Sequence, residues 1–360
     1  MEWKEYSLGD ISKLKYGKNV SAKLCKGPVP IFSGYRKIGT CNTINCKKNT
    51  VIVIARGAGG CGDVKLTKED CFLTNLSISV ELDKGICNAK WFYYNHLLNN
   101  LSFLNSGSAQ PQITIDSLSK YLIRIPPIII QRKIAGILSA LDSKIENNNK
   151  INANLESQAE ALFKSWFVDF TPFKDQPFVD SELGSIPQGW KVGKLGDICT
   201  FKRGKNLLSK NAIDEGVPVV AGGLSPSCYH NQANTSAPVV TVSGSGANAG
   251  FMRMYHVDVW ASDCSFIDVS CDYLYFVYCF LSVNRRLLKH AQTGAVQPHV
   301  KPADIHDFDV VIPEEDIVKA FQSIIKELLT KVGVNEKENQ RLAALRDTLL
   351  PKLMSGEIKL

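Results

Sequence analysis

The 360-residue chain contains no apolar stretch of membrane-spanning length. Its longest uncharged apolar runs, such as Ile125–Ile130, fall far short of the ~20 residues that a transmembrane helix needs. No apolar h-region follows Met1-Glu2-Trp3-Lys4, so no secretory signal and a cytoplasmic location are expected. None of the 11 cysteines belongs to a CxxC pair. Cys41 and Cys46 come nearest, with no histidine close enough to complete a zinc site, so reduced thiols without shared chemistry and no metal are expected. Also missing are an Asn-Pro-Pro-Tyr-type element for adenine methylation, a Walker A sequence, and a nuclease cluster of two acidic residues and a lysine. Serine, histidine and aspartate occur without a supporting local motif. No catalytic residue is expected, and no cofactor on this chain.

What is present supports a folded protein. With 44% hydrophobic and 21% charged residues a core of ordinary size is available, and the length points to two domains. The net charge of +7 is unevenly spread: residues 1–127 hold 17 Lys and Arg against 9 Asp and Glu, while residues 190–360 are nearly balanced. A basic N-terminal half favours a polyanionic partner.

Self-comparison reveals a tandem duplication. Trp3-Lys4 recurs as Trp190-Lys191, Leu8-Gly9-Asp10-Ile11 as Leu195-Gly196-Asp197-Ile198, and Gly17-Lys18-Asn19 as Gly204-Lys205-Asn206, all at an offset of 187. Ten of the 17 positions from Trp3 to Asn19 are identical. The match drifts by one residue, aligning Pro30 with Pro218, Gly34 with Gly222 and Ser77 with Ser265, then returns to 187 for Gln110-Pro111 against Gln297-Pro298. Each copy begins with a part rich in strands and turns, in which Val51–Ile54 and Val239–Val242 are short β-branched runs. Shorter helices are expected around Lys90–Asn99 and Asp272–Lys289, and the aromatic stretch Tyr273–Phe280 is expected in the core.

Each copy ends in a long helix. In the first, Ile134, Leu141, Asn148, Leu155 and Leu162 form one seven-residue row, and Leu138, Ile145, Asn152, Ala159 and Trp166 its companion. The second copy repeats both rows as Phe321, Leu328, Asn335, Leu342, Leu349 and Ile325, Val332, Asn339, Arg346, Leu353. Two such rows are a coiled-coil seam. Pro126-Pro127 and Pro313 mark the helix starts. Asparagine in a seam costs stability but fixes register, and antiparallel pairing about the midpoints would bring Asn148, Asn152, Asn335 and Asn339 to one level. The expected organisation is a domain at 1–127, a helix at 128–168, a linker at 169–189, a second domain at 190–313, a helix at 314–353 and a tail at 354–360. The fold class is α+β with pseudo-two-fold symmetry: two related domains alternate with two long antiparallel helices. Domains at opposite ends of a helix of about 60 Å suit two-site recognition of a long polymer.

The stretch Ser181-Glu182-Leu183-Gly184-Ser185-Ile186-Pro187-Gln188-Gly189-Trp190, with Leu195-Gly196-Asp197-Ile198 after it, resembles the opening of a target recognition domain in specificity subunits of type I restriction-modification systems. Leu162–Phe170 resembles the end of their first spacer helix, and Leu345–Ile358 the end of the second. The resemblance covers essentially the whole chain. It implies a non-catalytic DNA-binding subunit whose two domains read the halves of a bipartite, asymmetric target in double-stranded DNA. The helices would set the spacer and dock two methyltransferase subunits, with motor-nuclease subunits as further partners. Adenine methylation by S-adenosylmethionine and ATP- and Mg-dependent cleavage would belong to those partners. The alternatives are the equivalent subunit of a combined restriction-methylation enzyme outside type I, and a coiled-coil scaffold that binds only proteins.

Candidate DNA-binding residues fall in four groups. Lys15, Lys18 and Asn19, with Lys202, Arg203, Lys205 and Asn206, lie around the repeated Gly-Lys-Asn loop, where lysine suits phosphate and arginine or asparagine suits base edges. Tyr35, Arg36 and Lys37 follow Gly34. Two glycine-rich segments, Arg56–Gly62 and Ser243–Gly250, lack the following helix of a nucleotide-binding loop, so they are read as strand connections that offer Arg56, Ser245 and Asn248 to DNA. Gln110 and Gln112, with Gln297 and His299, flank a proline that holds the preceding residue extended.

Overall fold

The computed structural model describes the chain except for residues 1–2, 21–25, 58–59, 107–110 and 294–297. It divides into two compact units: Met1–Glu146 with Gln340–Leu360, and Asn147–Asn339.

In the first unit, β1 (Lys4–Ser7) pairs with β9 (Leu122–Ile125). A four-stranded sheet runs in the order β2 (Ser12–Tyr16), β8 (Ser77–Leu82), β5 (Val51–Ile54), β6 (Val64–Leu66). A three-stranded sheet runs β4 (Arg36–Cys41), β3 (Val29–Ser33), β7 (Phe72–Leu73), with β3 and β7 parallel. The helices are α1 (Ala89–Leu98), α2 (Ile115–Ser119), the first part of α3 (Ile128–Phe167) and the last part of α8 (Glu315–Ser355). All four residues of β5 are buried, as a central strand covered on both faces requires.

The second unit repeats this plan. β12 (Lys191–Lys194) pairs with β20 (Asp309–Ile312), and Lys191 opposes Ile312 as Lys4 opposes Ile125. The four-stranded sheet is β13 (Lys202–Arg203), β19 (Cys264–Ile267), β16 (Val239–Ser243), β17 (Met252–Tyr255). The three-stranded sheet is β15 (Cys228–His230), β14 (Val217–Val220), β18 (Trp260–Ala261), again with one parallel pair. Its helices are α4 (Leu195–Ile198), α5 (Leu274–Val283), α6 (Arg285–His290) and α7 (Pro302–His306), with α8 (Glu315–Ser355) following. The single helix expected over Asp272–Lys289 breaks at Asn284, whose side-chain amide donates back to the Phe280 carbonyl at 2.9 Å. Phe276 and Phe280 of the aromatic stretch are buried.

The segment 169–189 is more than the linker expected. Within it β10 (Phe178–Ser181) and β11 (Gly184–Pro187) form a hairpin, and Phe173 and Ile186 are buried in the second unit's core. Aromatic packing explains this, because the Phe173 and Phe170 rings lie 5.0 and 5.6 Å from Trp190. The tail differs too. α8 continues to Ser355, Met354 is buried, and the Ile358 amide donates to Lys352.

The helices meet in both units. In the second unit, the Asn335 amide donates to Asn152 Oδ1 at 2.7 Å, and Asn148 donates to Asn339 Oδ1 at 2.9 Å. Asn148 also donates to Glu338 at 2.7 Å, and Asn339 to Asn149 at 2.9 Å. The pairs run in opposite sequence directions, so the helices are antiparallel there. In the first unit Arg346 of α8 pairs with Asp142 of α3 at 2.8 Å, and Asp142 also accepts from the Tyr94 hydroxyl.

The hydrophobic seam departs from strict heptads. Ile134, Leu138, Phe321, Ile325 and Val332 are buried, whereas Leu141, Ile145, Leu155, Leu162, Leu328, Leu342 and Leu349 are half-buried. Burial passes instead to Phe163 and Phe167 in α3 and to Leu329, Leu350 and Met354 in α8. A straight helix drifts ~20° per heptad, and each helix end packs on a globular domain as well as on its partner helix. Buried asparagines set a test of the pairing. Asn335→Leu leaves Asn152 Oδ1 without its donor and should cost about 1–3 kcal/mol in urea unfolding. An unchanged midpoint would mean that the amide pair is solvated.

Candidate nucleic-acid interface

The repeated Gly-Lys-Asn loop is partly explained by packing. The Gly17 amide donates to Ser77 and the Lys18 amide to Leu73; Gly204 donates to Cys264 and Lys205 to Ala261. A Cβ at Gly17 would collide with the Thr74 carbonyl, and one at Gly204 with the Ser262 carbonyl. Glycine is therefore demanded by close backbone approach. Packing does not demand the neighbouring side chains: Lys18, Asn19, Lys205 and Asn206 are exposed. Lys202 is exposed on β13, whereas Lys15 on β2 is paired with Glu81 at 3.0 Å, which offsets the charge it was expected to offer phosphate.

Tyr35 also has a local role. It stacks on Phe32 with ring centroids 5.3 Å apart, and its hydroxyl donates to the Leu66 carbonyl at 2.8 Å. Burial pushes its phenol above the ordinary range. It packs the hairpin that presents exposed Arg36 and Lys37.

Strand pairings refine the alignment of the copies. Tyr16 opposes Ile78 and Arg203 opposes Ser265, so Ile78, not Ser77, holds Ser265's place. Ala55 donates to Leu76 as Gly244 donates to Asp263, which makes Asp263 the counterpart of Leu76. The glycine-rich segments lead into β6 and β17, as strand connections should.

These connections bring distant candidates together. Arg56 bridges Gln112 through the backbone, and Ser245 bridges His299 in the same way. Ile113 donates to Ala55 and Val300 to Gly244, so both bridges sit at the same place in their domains. Gln110 and Gln297 lie outside the described residues. The Gln112 backbone is fixed by its N–H, which donates to Asn105 Oδ1 at 2.6 Å. Asn248 uses its amide on the Gly222 carbonyl at 3.3 Å, so it shapes a loop and is only half-exposed.

In the second domain the convergence is closest. Asp263 accepts from the Arg203 guanidinium on one carboxylate oxygen and from the Ser245 hydroxyl on the other. Arg203, Gly244, His299 and Lys301 line one surface pocket. Asp263 and Lys301 escaped sequence analysis: Asp263 is 60 residues from Arg203, with no local signal to mark it. Lys301 lies only two residues beyond His299, a proximity that the sequence does show. Neighbouring Cys264 is buried, which pushes its thiol up to about 12, so it packs as a neutral group.

Cys46 and Cys71, unrelated in sequence, oppose each other across an isolated bridge and are both buried. Among the described residues no cluster of three or more His, Cys, Asp or Glu has the arrangement of a metal site. No helix among them is long and apolar enough to cross a membrane.

Comparison with known proteins adds independent findings. The family described as Type I restriction modification DNA specificity domain matches residues 1–157 and again 187–346. The chain is 29% identical over 340 residues to the Type I restriction enzyme MjaIX specificity subunit of Methanocaldococcus jannaschii, covering 87% of this chain and 78% of that one. It is 24% identical to the Type I restriction enzyme HindI specificity subunit of Haemophilus influenzae, over 99% of this chain and 100% of the relative. In fold it is similar to the crystal structure of a type I restriction-modification S subunit from M. genitalium, with a TM-score of 0.68 at 22% identity, covering 98% of this chain and 96% of the other.

Proposed function

This chain belongs to the family of type I restriction-modification DNA specificity subunits, and from that premise we propose that its domains 1–127 and 190–313 each read one half of a bipartite, asymmetric DNA target. As a specificity subunit it is the non-catalytic, DNA-recognising member of its system. The observation that carries the two-reader proposal is the pair of equivalent bridges, Arg56–Gln112 and Ser245–His299. The scaffold is repeated strand for strand, while the side chains presented at these bridges differ. Repeating the backbone and changing the presented groups is what reading two different sequences requires. Exposed Lys18 and Lys205 hold phosphates in both halves.

The helix pair sets the unread spacer and docks two methyltransferase subunits, with motor-nuclease subunits as further partners. Those subunits supply S-adenosylmethionine, ATP and Mg chemistry. The buried asparagines support the spacer role, because a polar seam that fixes helix register also fixes spacing.

The test is a domain exchange. In cells carrying the full complex, residues 190–313 are replaced by the corresponding domain of a relative, and the methylated sites are sequenced. One half of the motif should change while the other half and the spacer stay constant. If both halves changed together, or the motif were continuous, the two-reader proposal would be wrong.

A further inference from the structure

We propose that Arg203 is a guanine-reading residue of the second domain and that Asp263 positions it; this rests on the DNA-reading function above. A guanidinium has five N–H donors in a rigid plane. Among the described residues Asp263 is the one side chain that bonds Arg203, which leaves enough donors for the paired bonds that guanine N7 and O6 accept. Asp263 is itself held on its other oxygen by the Ser245 hydroxyl, so the buttress is fixed by Arg203 of β13 and by the connection that follows β16. The guanidinium lies over the Gly244 backbone, where any Cβ would strike it, so glycine there makes room for its plane. Arg203 and Asp263 remain partly exposed, with side chains 46% and 33% accessible, and the charge faces a pocket that also holds His299 and Lys301.

A carboxylate bonded to the arginine of a DNA-facing pocket repels phosphate. Its presence is explained if its task is to aim an arginine at a base edge. The first domain lacks this device. By strand register Tyr16 stands for Arg203, Leu76 for Asp263 and Arg56 for Ser245. The Tyr16 hydroxyl instead accepts from the Ile115 amide at 3.1 Å. The position corresponding to Ile115 is Pro302, which has no N–H to offer. Arginine and carboxylate occupy these two positions together in the second domain, and Tyr16 and Leu76 replace both in the first, as in a unit of specificity.

The experiment compares the assembled complex carrying the natural chain, Arg203→Lys or Asp263→Asn, by sequencing methylated sites and by binding to duplexes substituted at each target position. Lysine keeps the charge but cannot form the rigid paired contact. Arg203→Lys should lose about 10- to 100-fold discrimination at one guanine of one half-site, leaving the other half unchanged. Asp263→Asn should relax the same position to a lesser degree, a change that a merely structural role, weakening all sites alike, would not produce. An unaltered motif with Arg203→Lys would overturn the guanine assignment. A natural complex with no sequence-specific methylation or binding would instead overturn the DNA-reading function itself.

Discussion

Phe321→Ala should lower the stability of the second unit by about 3–5 kcal/mol. Phe321 is fully buried, and its ring lies 4.8 Å from Phe167, 5.7 Å from Trp166 and 5.9 Å from Phe163. Phe163 and Phe167 stand 5.3 and 5.0 Å from Phe276 of α5, so one aromatic cluster joins α3, α8 and the globular domain. Truncating its centre removes contact from three sides, and large rings leave cavities that neighbours fill poorly. Leu328→Ala is the internal comparison: Leu328 occupies the same heptad row but is only half-buried, and it should cost much less. Urea unfolding of the two variants decides the matter. Equal losses would place the helix contact elsewhere than at the aromatic cluster.

Acidification should weaken the first unit through His96. This side chain is 2% exposed, and burial pulls its pKa down to about 4. Nδ1 lies 2.8 Å from the Phe92 carbonyl, so that nitrogen carries the proton and donates. Nε2 is then left to accept from the Tyr121 hydroxyl at 3.2 Å. Both bonds suit the neutral ring. In the unfolded chain the group titrates near 6.5, so between about 6.5 and 4 the unfolded state binds a proton that the folded state refuses. The contribution is intact at pH 7, is lost as pH falls through that window, and levels off below it. A depression of this size corresponds to about 3 kcal/mol. His96→Gln should be less stable than the natural chain at pH 7 yet lose less stability between pH 7 and 4.5. Parallel losses in the two proteins would show that His96 titrates normally.

Much of the architecture was legible in the sequence because it is local or repeated. The offset of 187 from Trp3 to Asn19 exposed the duplication. The seven-residue rows exposed both long helices, and the strand-like residues Phe251–Val257 after the second glycine-rich segment argued against a nucleotide-binding loop. Gly17 and Gly204 were legible as a shared feature, although their reason is steric: the chain crosses a carbonyl too closely for any Cβ. By itself, then, the sequence determined the number of related domains, the long helices that follow them and the polar level of the helix seam.

Tertiary structure decided which residues face one another. Strand register shifted the copies by a residue relative to their best alignment, and this made Asp263 the partner of Arg203 and left Leu76 in its place in the first domain. It assigned Tyr35 to hairpin packing and Lys15 to Glu81, and moved helix burial from Leu162 to Phe163. The physical reason is common to all of these. A side chain's periodicity is set by its immediate neighbours, whereas its hydrogen-bond or ion-pair partner is set by how strands 60 residues apart align, and one residue of slip hands it a different partner.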